Sequence, residues 1–430
     1  MNDDISLSSA AASASVSVLS SGPLARPSRA AVVLALALGL APALALSSAL
    51  AMAPLLALTA VAMLAANGWR RPVLVSTRAQ AVLLLALLAW AAVTSRWSLD
   101  ETFAGRNIAM LIGTVLGGVI VQAEARRLDE AGLALVVRAL SLGLLVVVPA
   151  MLFCGILEQM HVLDTETTQK VIEAVVQRMN RGSTVCAMLL WVAALGQVRF
   201  GRPRRAVALV LVVLVGVVAT HDLAAKLAIV GGVGVWAVAR LTPRLAAAGL
   251  GVLMLTVVLL APLAALHLPP PRDSIYISWL PRSGHHRMTI WSFTAQRIAE
   301  KPLLGWGLDS SRAIPGAKDE IFLIDRAGKL FSEAMLPLHP HNAALQIWLE
   351  LGGIGAGLVA LCLVTLPNSL ARGTASRNAK AFGAALLFGG FLIASVSYGV
   401  WQSWWLSTVW LAVAGLGALS QAAKDARAPL

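Results

Sequence analysis

Long apolar stretches recur from one end of this 430-residue chain to the other, and they decide what it can become. They fall near 31–46, 48–66, 79–94, 104–122, 132–155, 183–198, 206–220, 223–239, 245–266, 342–366, 381–400 and 402–421. Each is about the length of a helix that crosses a hydrocarbon layer ~30 Å thick. A helix satisfies every amide within its own segment, as lipid requires of any backbone that crosses it. The sequence therefore predicts an all-α polytopic membrane protein with about twelve transmembrane helices. Only Ser47 and Ser48 divide the first two stretches, so an eleven-span layout fits as well.

Only 13% of the residues are charged and 58% are hydrophobic, against about 25% charged in soluble domains. The deficit runs the length of the chain, which excludes a soluble body on a single anchor. The net charge of +13 does not indicate nucleic acid. The basic residues lie between the apolar stretches, where membrane proteins keep their cytoplasmic anchors, and no basic stripe is interleaved with aromatics.

Those charges also orient the chain. With the N-terminus inside, Arg26 and Arg29, Arg70, Arg71 and Arg78, and Arg126 and Arg127 all fall on the cytoplasmic side. So do Arg199 to Arg205, Arg240 and Arg244, Arg372 to Lys380, and Lys424 and Arg427. The short loops of the other face are poor in basic residues, as the positive-inside asymmetry requires. Residues 1–30 are Ser/Ala-rich with an acidic start. They read as a disordered cytoplasmic tail and not as a secretory signal. The predicted order is this tail, helices 1–9 over 31–266, a large outer loop over 267–341, helices 10–12 over 342–421, and a cytoplasmic tail over 422–430. Cys154, Cys186 and Cys362 lie in or near apolar segments and read as small packing residues.

Two outer segments are long. The one at 156–182 has the pattern of an amphipathic surface helix, with Leu157, Val171 and Val175 on one stripe. The other, 267–341, opens on Pro269-Pro270-Pro271, which ends the preceding helix. It gathers cationic and imidazole groups: Arg282, His285, His286 and Arg287 early, His339 and His341 late. Guanidinium forks match phosphate oxygens, and an imidazole can take a proton near neutral pH. At a membrane boundary that combination suits a phosphate-bearing substrate whose tail stays in lipid. Lys226, in an apolar stretch, faces a charge-burial cost; it either pairs with Asp222 at helical spacing or contacts the substrate. Trp291 and Trp306 also fit simple interfacial anchors. Arg106 sits near an outer span end, where it can snorkel or touch substrate.

Three motifs in this loop resemble the O-antigen ligase and polymerase superfamily. Arg287 and Trp291 match an Arg followed four residues on by Trp, and Pro302 to Gly307 match a Pro-Leu-x-Gly-x-Gly turn. His341-Asn342, nine residues, Gly352, two residues and Gly355 match a third spacing. The resemblance also covers the twelve-span layout with its loop before the last three spans. It departs near Thr220-His221-Asp222, where members often carry a basic residue.

The resemblance implies a membrane glycosyltransferase acting on the outer face of a bacterial inner membrane. The donor would be an undecaprenyl-diphosphate-linked glycan and the acceptor lipid A-core. It implies His341 as general base for the acceptor hydroxyl and Arg287 as a diphosphate holder; by their charge, Arg282 and Lys226 are further candidates to contact the diphosphate. Trp291 and Asn342 would line the substrate, and His339 stands two residues away as a rival base. No cofactor is implied. The one close outer carboxylate pair is Asp164 and Glu166, in the shorter loop, so arginines would have to neutralise the leaving diphosphate without a metal. Two alternatives stay open: a polymerase of the same superfamily, with Arg178 and Arg181 in the shorter loop, and a small-anion transporter. The Pro and Gly interruptions lie mostly at span ends, which disfavours the transporter.

Overall fold

The computed structural model describes residues 26–69, 78–159, 166–268, 282–324 and 330–421. The 1–25 part of the predicted tail, the Pro269–Pro271 run and residues 422–430 lie outside them, as does the Arg282 side chain. The protein is an all-α polytopic membrane protein in its architecture, and each of the twelve apolar stretches lies on a helix. These helices are α1 (Arg29–Ser48), α2 (Met52–Ala66), α3 (Arg78–Thr94), α4 (Glu101–Ala125), α5 (Glu130–Gln159) and α6 (Glu166–Arg199). They continue as α7 (Pro203–Val218), α8 (Leu223–Leu241) and α9 (Pro243–Leu266). An amphipathic helix follows, α10 (Arg282–Glu300), and then α11 (Ala343–Arg372), α12 (Arg377–Val396) and α13 (Ser403–Leu419).

Nine helices among the described residues are long and apolar enough to cross a bilayer, counting Arg29–Ala66 as one. Ser48, in extended backbone, divides that run. α7 and α13, at 16 and 17 residues, are shorter than this measure.

Local chemistry sets the helix ends. Ser28, Asp100, Asp222, Asn342 and Ser376 each accept a hydrogen bond from the backbone N–H three residues on, a standard N-cap. Pro203 and Pro243 occupy first turns, where no amide hydrogen is missed. Pro42, Pro149, Pro262 and Pro367 sit inside helices, which neighbouring helices make tolerable in a membrane.

α6 is the axle of the bundle: every residue from Val185 to Leu195 is buried. α1, α5, α12 and α13 pack around it. α1 and α5 approach so closely that a Cβ at Gly143 would meet the Gly39 carbonyl oxygen at 2.0 Å. Of the amphipathic helix expected over 156–182, residues 166–182 form the first part of α6, which runs unbroken for 34 residues, and residues 156–159 close α5.

Two features depart from the expected layout. The loop contains an antiparallel pair of strands, β1 (Glu320–Ile324) and β2 (Leu330–Ala334), with Glu320 opposite Ala334. This adds a small hairpin to an otherwise helical chain, and its first strand carries the β-branched Ile321 and the aromatic Phe322, residue types that favour strands. Second, α11 breaks at Gly352, whose φ of +64° is left-handed. The break lies ten residues into the helix, not at its end. The Pro302–Gly307 turn fills it: Trp306 and Gly307 donate to the Leu349 and Glu350 carbonyls at 2.8 and 2.9 Å, and Gly353 donates to Pro302 at 2.8 Å. A Cβ at Gly352 would meet the Leu303 carbonyl oxygen at 2.2 Å, and one at Gly305 the Glu350 carbonyl oxygen at 2.6 Å. The glycines of both motifs are thus the two sides of one backbone contact.

Candidate functional site

α10 forms because Ile290, Phe293 and Ile298 recur at helical spacing and bury together with Trp306, Ile314, Leu336, Leu345 and Leu349. This small core seats α10 on the first half of α11. Arg287 and Trp291 stand one turn apart on the same side of it. The Trp291 indole N–H donates to the Pro340 carbonyl at 2.9 Å, and the Trp306 indole donates to the Arg297 carbonyl at 2.8 Å. Both tryptophans therefore fasten protein to protein. The Trp291 clasp brings α10 against His339-Pro340-His341.

His341 has a left-handed backbone, φ +53°. Its Nδ1 lies 2.6 Å from the Ser397 carbonyl oxygen. A carbonyl can only accept, so Nδ1 carries the proton and Nε2 keeps the free lone pair. Burial lowers the His341 pKa, the Arg287 and His286 charges add to this, and the Ser397 bond opposes it.

His339 differs. It is 6% exposed. Its Nδ1 faces the His341 backbone N–H at 3.2 Å and its Nε2 faces the Gln402 amide nitrogen at 3.2 Å. Burial, then the charges of His341, Arg312 and Arg181, push its pKa down to about 3. The two rings lie 4.3 Å apart, but only His341 has a ring nitrogen free for a proton from elsewhere.

Arg287 is half-buried. Burial lowers its pKa, while the negative charge of Asp222 acts against that. Asp222 is itself buried, which raises its pKa. Its carboxylate accepts from the Ser183 hydroxyl at 3.1 Å, the Thr184 hydroxyl at 2.7 Å and the Ala225 N–H at 3.1 Å. The Thr184 hydroxyl also lies 3.3 Å from the Tyr398 hydroxyl. Asp222 is thus occupied by capping and hydroxyl bonds. Its expected pair with Lys226 does not form, and the Lys226 ammonium has no ion-pair partner among the described residues.

The structure therefore brings Arg287, Trp291, His339 and His341 to one place, with Asp222 contributed by the N-cap of α8; Lys226 stands one turn further along that helix. Asn342 is at the same place, but its side-chain oxygen caps α11 through the Leu345 N–H at 3.1 Å. That bond occupies it in the helix and accounts for Asn at this position without a ligand. Among the described residues, no group of three or more His, Cys, Asp or Glu side chains converges as a metal site. Sequence reasoning passed over the turn between α12 and α13, which supplies the Ser397 carbonyl, Tyr398 and Gln402. One signal was available: Tyr398 is one of only two tyrosines in the chain, set between Ser397 and Gly399 near the end of an apolar stretch.

Residues 207–360 match the family described as O-antigen ligase. The match takes in Asp222, Lys226, Arg287, Trp291, His339 and His341, and ends before Ser397. A Rickettsia conorii protein described as "putative polysaccharide ligase" is 34% identical over 238 residues, 55% of this chain and 56% of that protein. A Rickettsia felis protein of the same description is 34% identical over 239 residues, covering 55% and 57%. One from Rickettsia bellii is 40% identical over 132 residues, covering 30% and 31%. The aligned part thus spans just over half the length of the first two relatives. No solved structure matches the chain. The stretch that carries these histidines and Arg287, residues 207–360, is thus the part of the chain similar to the O-antigen ligase family.

Proposed function

We propose that this protein is an inverting, metal-independent glycosyltransferase of the O-antigen ligase type. It moves a glycan from undecaprenyl diphosphate to lipid A-core. The twelve helices on the apolar stretches are its membrane spans, in a bacterial inner membrane with both termini cytoplasmic. Residues 267–341 and the His341 site then face the periplasm.

His341 carries this reading, because its Nδ1–H is spent on the Ser397 carbonyl and its Nε2 is the free base. In the reaction Nε2 takes the proton of an acceptor-sugar hydroxyl. The oxygen attacks the anomeric carbon of the donor's first sugar from the face opposite the diphosphate. The bond from that carbon to the phosphate oxygen breaks, and the configuration inverts. The diphosphate leaves with its charge, held by Arg287, Lys226 and Arg282. Lys226 suits this role because no carboxylate among the described residues lies within ion-pair distance of it. The Asp222 charge favours the guanidinium form of Arg287 from a distance while its carboxylate stays tied to Ser183 and Thr184. With Asp222 so occupied, cationic side chains are the groups left to receive the diphosphate, and hence no metal is invoked.

The test is glycan transfer in membranes that contain the lipid-linked glycan and lipid A-core. Transfer to lipid A-core by the parent, lost in His341→Ala at equal insertion, is the expected result. Longer glycan remaining on the carrier would instead identify a polymerase. No change in any glycan with either protein would overturn the reading and leave anion transport to be measured.

A further inference from the structure

Glu350 is fully buried, with an exposure of 0%, and lies nine residues after His341. A carboxylate taken out of water is costly unless its lone pairs are filled. No cation lies within ion-pair distance of it among the described residues. Four neutral donors fill it: the Asp309 backbone N–H at 2.8 Å, the Ser311 hydroxyl, the Gln346 amide at 3.1 Å and the Trp401 indole at 2.5 Å. They come from the segment after the Pro302–Gly307 turn, from α11 itself and from the turn between α12 and α13.

The last of these links matters most. Gln346 donates to Glu350 and accepts from the Val400 N–H at 2.9 Å. Val400 and Trp401 are thus both held through Glu350, directly or through Gln346. The same turn presents the Ser397 carbonyl to His341 and Gln402 to His339. It is packed tightly, since a Cβ at Gly399 would come within 3.0 Å of the His339 ring.

The geometry points to Glu350 as a positioning residue that sets the place of the Ser397 carbonyl, and so the tautomer and basicity of His341. Glu350 touches neither ring. It acts through Gln346, Val400 and Trp401. The charged and titratable groups facing His341 are His339, Arg287 and His286, and the one facing Glu350 is Asp309. Loosening the turn lengthens the bond from His341 Nδ1–H to Ser397. That bond favours the imidazolium over the neutral ring, so its loss lowers the pH at which His341 takes a proton.

The experiment uses the full chain in nanodiscs. Diethyl pyrocarbonate reacts with the neutral imidazole, and peptide mass spectrometry reads the labelling of each histidine against pH. In Glu350→Gln the His341 midpoint should fall by about half a unit to one unit, roughly a hydrogen bond's worth. Trp401→Phe, which removes one donor, should move it less and in the same direction. Glu350→Asp, which keeps the charge, should restore part of the shift. His267, whose Nδ1 lies against the Leu263 carbonyl oxygen away from this network, should not move. A His341 midpoint unchanged in both Glu350→Gln and Trp401→Phe overturns the proposal. If Glu350→Gln fails to insert, Trp401→Phe decides alone.

The labelling needs no turnover, so it stands apart from the glycosyl-transfer reading on which the role in catalysis rests. If transfer is also observed, the acid limb of its pH profile should move down with the His341 midpoint. A merely destabilised protein would lower the whole profile without moving that limb.

Discussion

The bundle around α6 and the site end of α11 are held together by different means. Around α6, contact is a matter of shape: Gly39 lies against Gly143, and the core from Val185 to Leu195 is closed by alanine, leucine and valine. Helices in lipid gain little from hiding apolar surface from one another, so close approach through small residues must hold them. At the site end the contacts are directional. The Pro302–Gly307 turn donates into a broken helix, Trp291 clasps Pro340, and Ser397 accepts from His341. In the apolar core of the bundle, fit depends mainly on side-chain volume. The site end needs particular donors opposite particular acceptors.

That contrast can be tested by substitutions that strike one region and spare the other. The largest effect expected is His341→Ala, which should cut glycan transfer by about 100- to 10,000-fold, the range of a general base, with no change in insertion or melting of the bundle. Equal loss of insertion would show that the site end is needed to build the bundle.

Next come two glycine substitutions with opposite signatures. Gly352→Ala places a side chain against the Leu303 carbonyl on a left-handed backbone and should lower transfer more than tenfold, with the bundle melting almost unchanged. Gly143→Ala pushes α1 off α5 and should lower the melting temperature while leaving the pH midpoint of His341 where it was. If both behave alike, the two regions are one cooperative unit.

Arg287→Gln should raise the donor KM by about tenfold, the loss of one charge-assisted contact. It should also shift the pH profile. His341 has its pKa lowered partly by Arg287, so removing that charge raises it, and the acid limb of the activity moves to higher pH. In the parent that limb should lie below the ordinary histidine value of about 6.5, because the base must be neutral and its pKa is lowered.

The smallest effect expected is that of Trp291→Phe. It removes the bond to Pro340 but keeps the ring, and should cost transfer about five- to tenfold, one hydrogen bond.

Much of the bundle could be read from the sequence because length and apolarity are local properties. Each predicted stretch met a helix, and the caps at Asp100, Asn342 and Ser376 lie at stretch boundaries. The break at Gly352 could not be read that way. It depends on Pro302 to Gly307, some fifty residues earlier, and neither motif by itself shows that it completes the other. The β1–β2 hairpin was missed for a related reason: five-residue strands in a charged loop give too short a pattern.

At the site, Arg287, Trp291 and His341 were legible as motif residues, but their partners were not. Helical spacing leaves a pair between Asp222 and Lys226 open as one of two readings, yet the Asp222 carboxylate is filled by Ser183 and Thr184 on another helix. Ser397 acts through its backbone carbonyl, which no side-chain motif records. Glu350 looked like one more position in an apolar helix.

The left-handed backbone at His341 carries one further consequence. A residue other than glycine in that conformation is strained by about 1–3 kcal/mol, and asparagine tolerates it better than most. Under the proposed reading, the chain retains a ring at 341 that its own main chain resists. His341→Asn should then give a protein that no longer transfers glycan but resists heat at least as well as its parent. Such a dead but durable form, one codon change away, is what selection for sturdiness alone would favour. On that reading, histidine at this position answers a demand for chemistry and not one for stability.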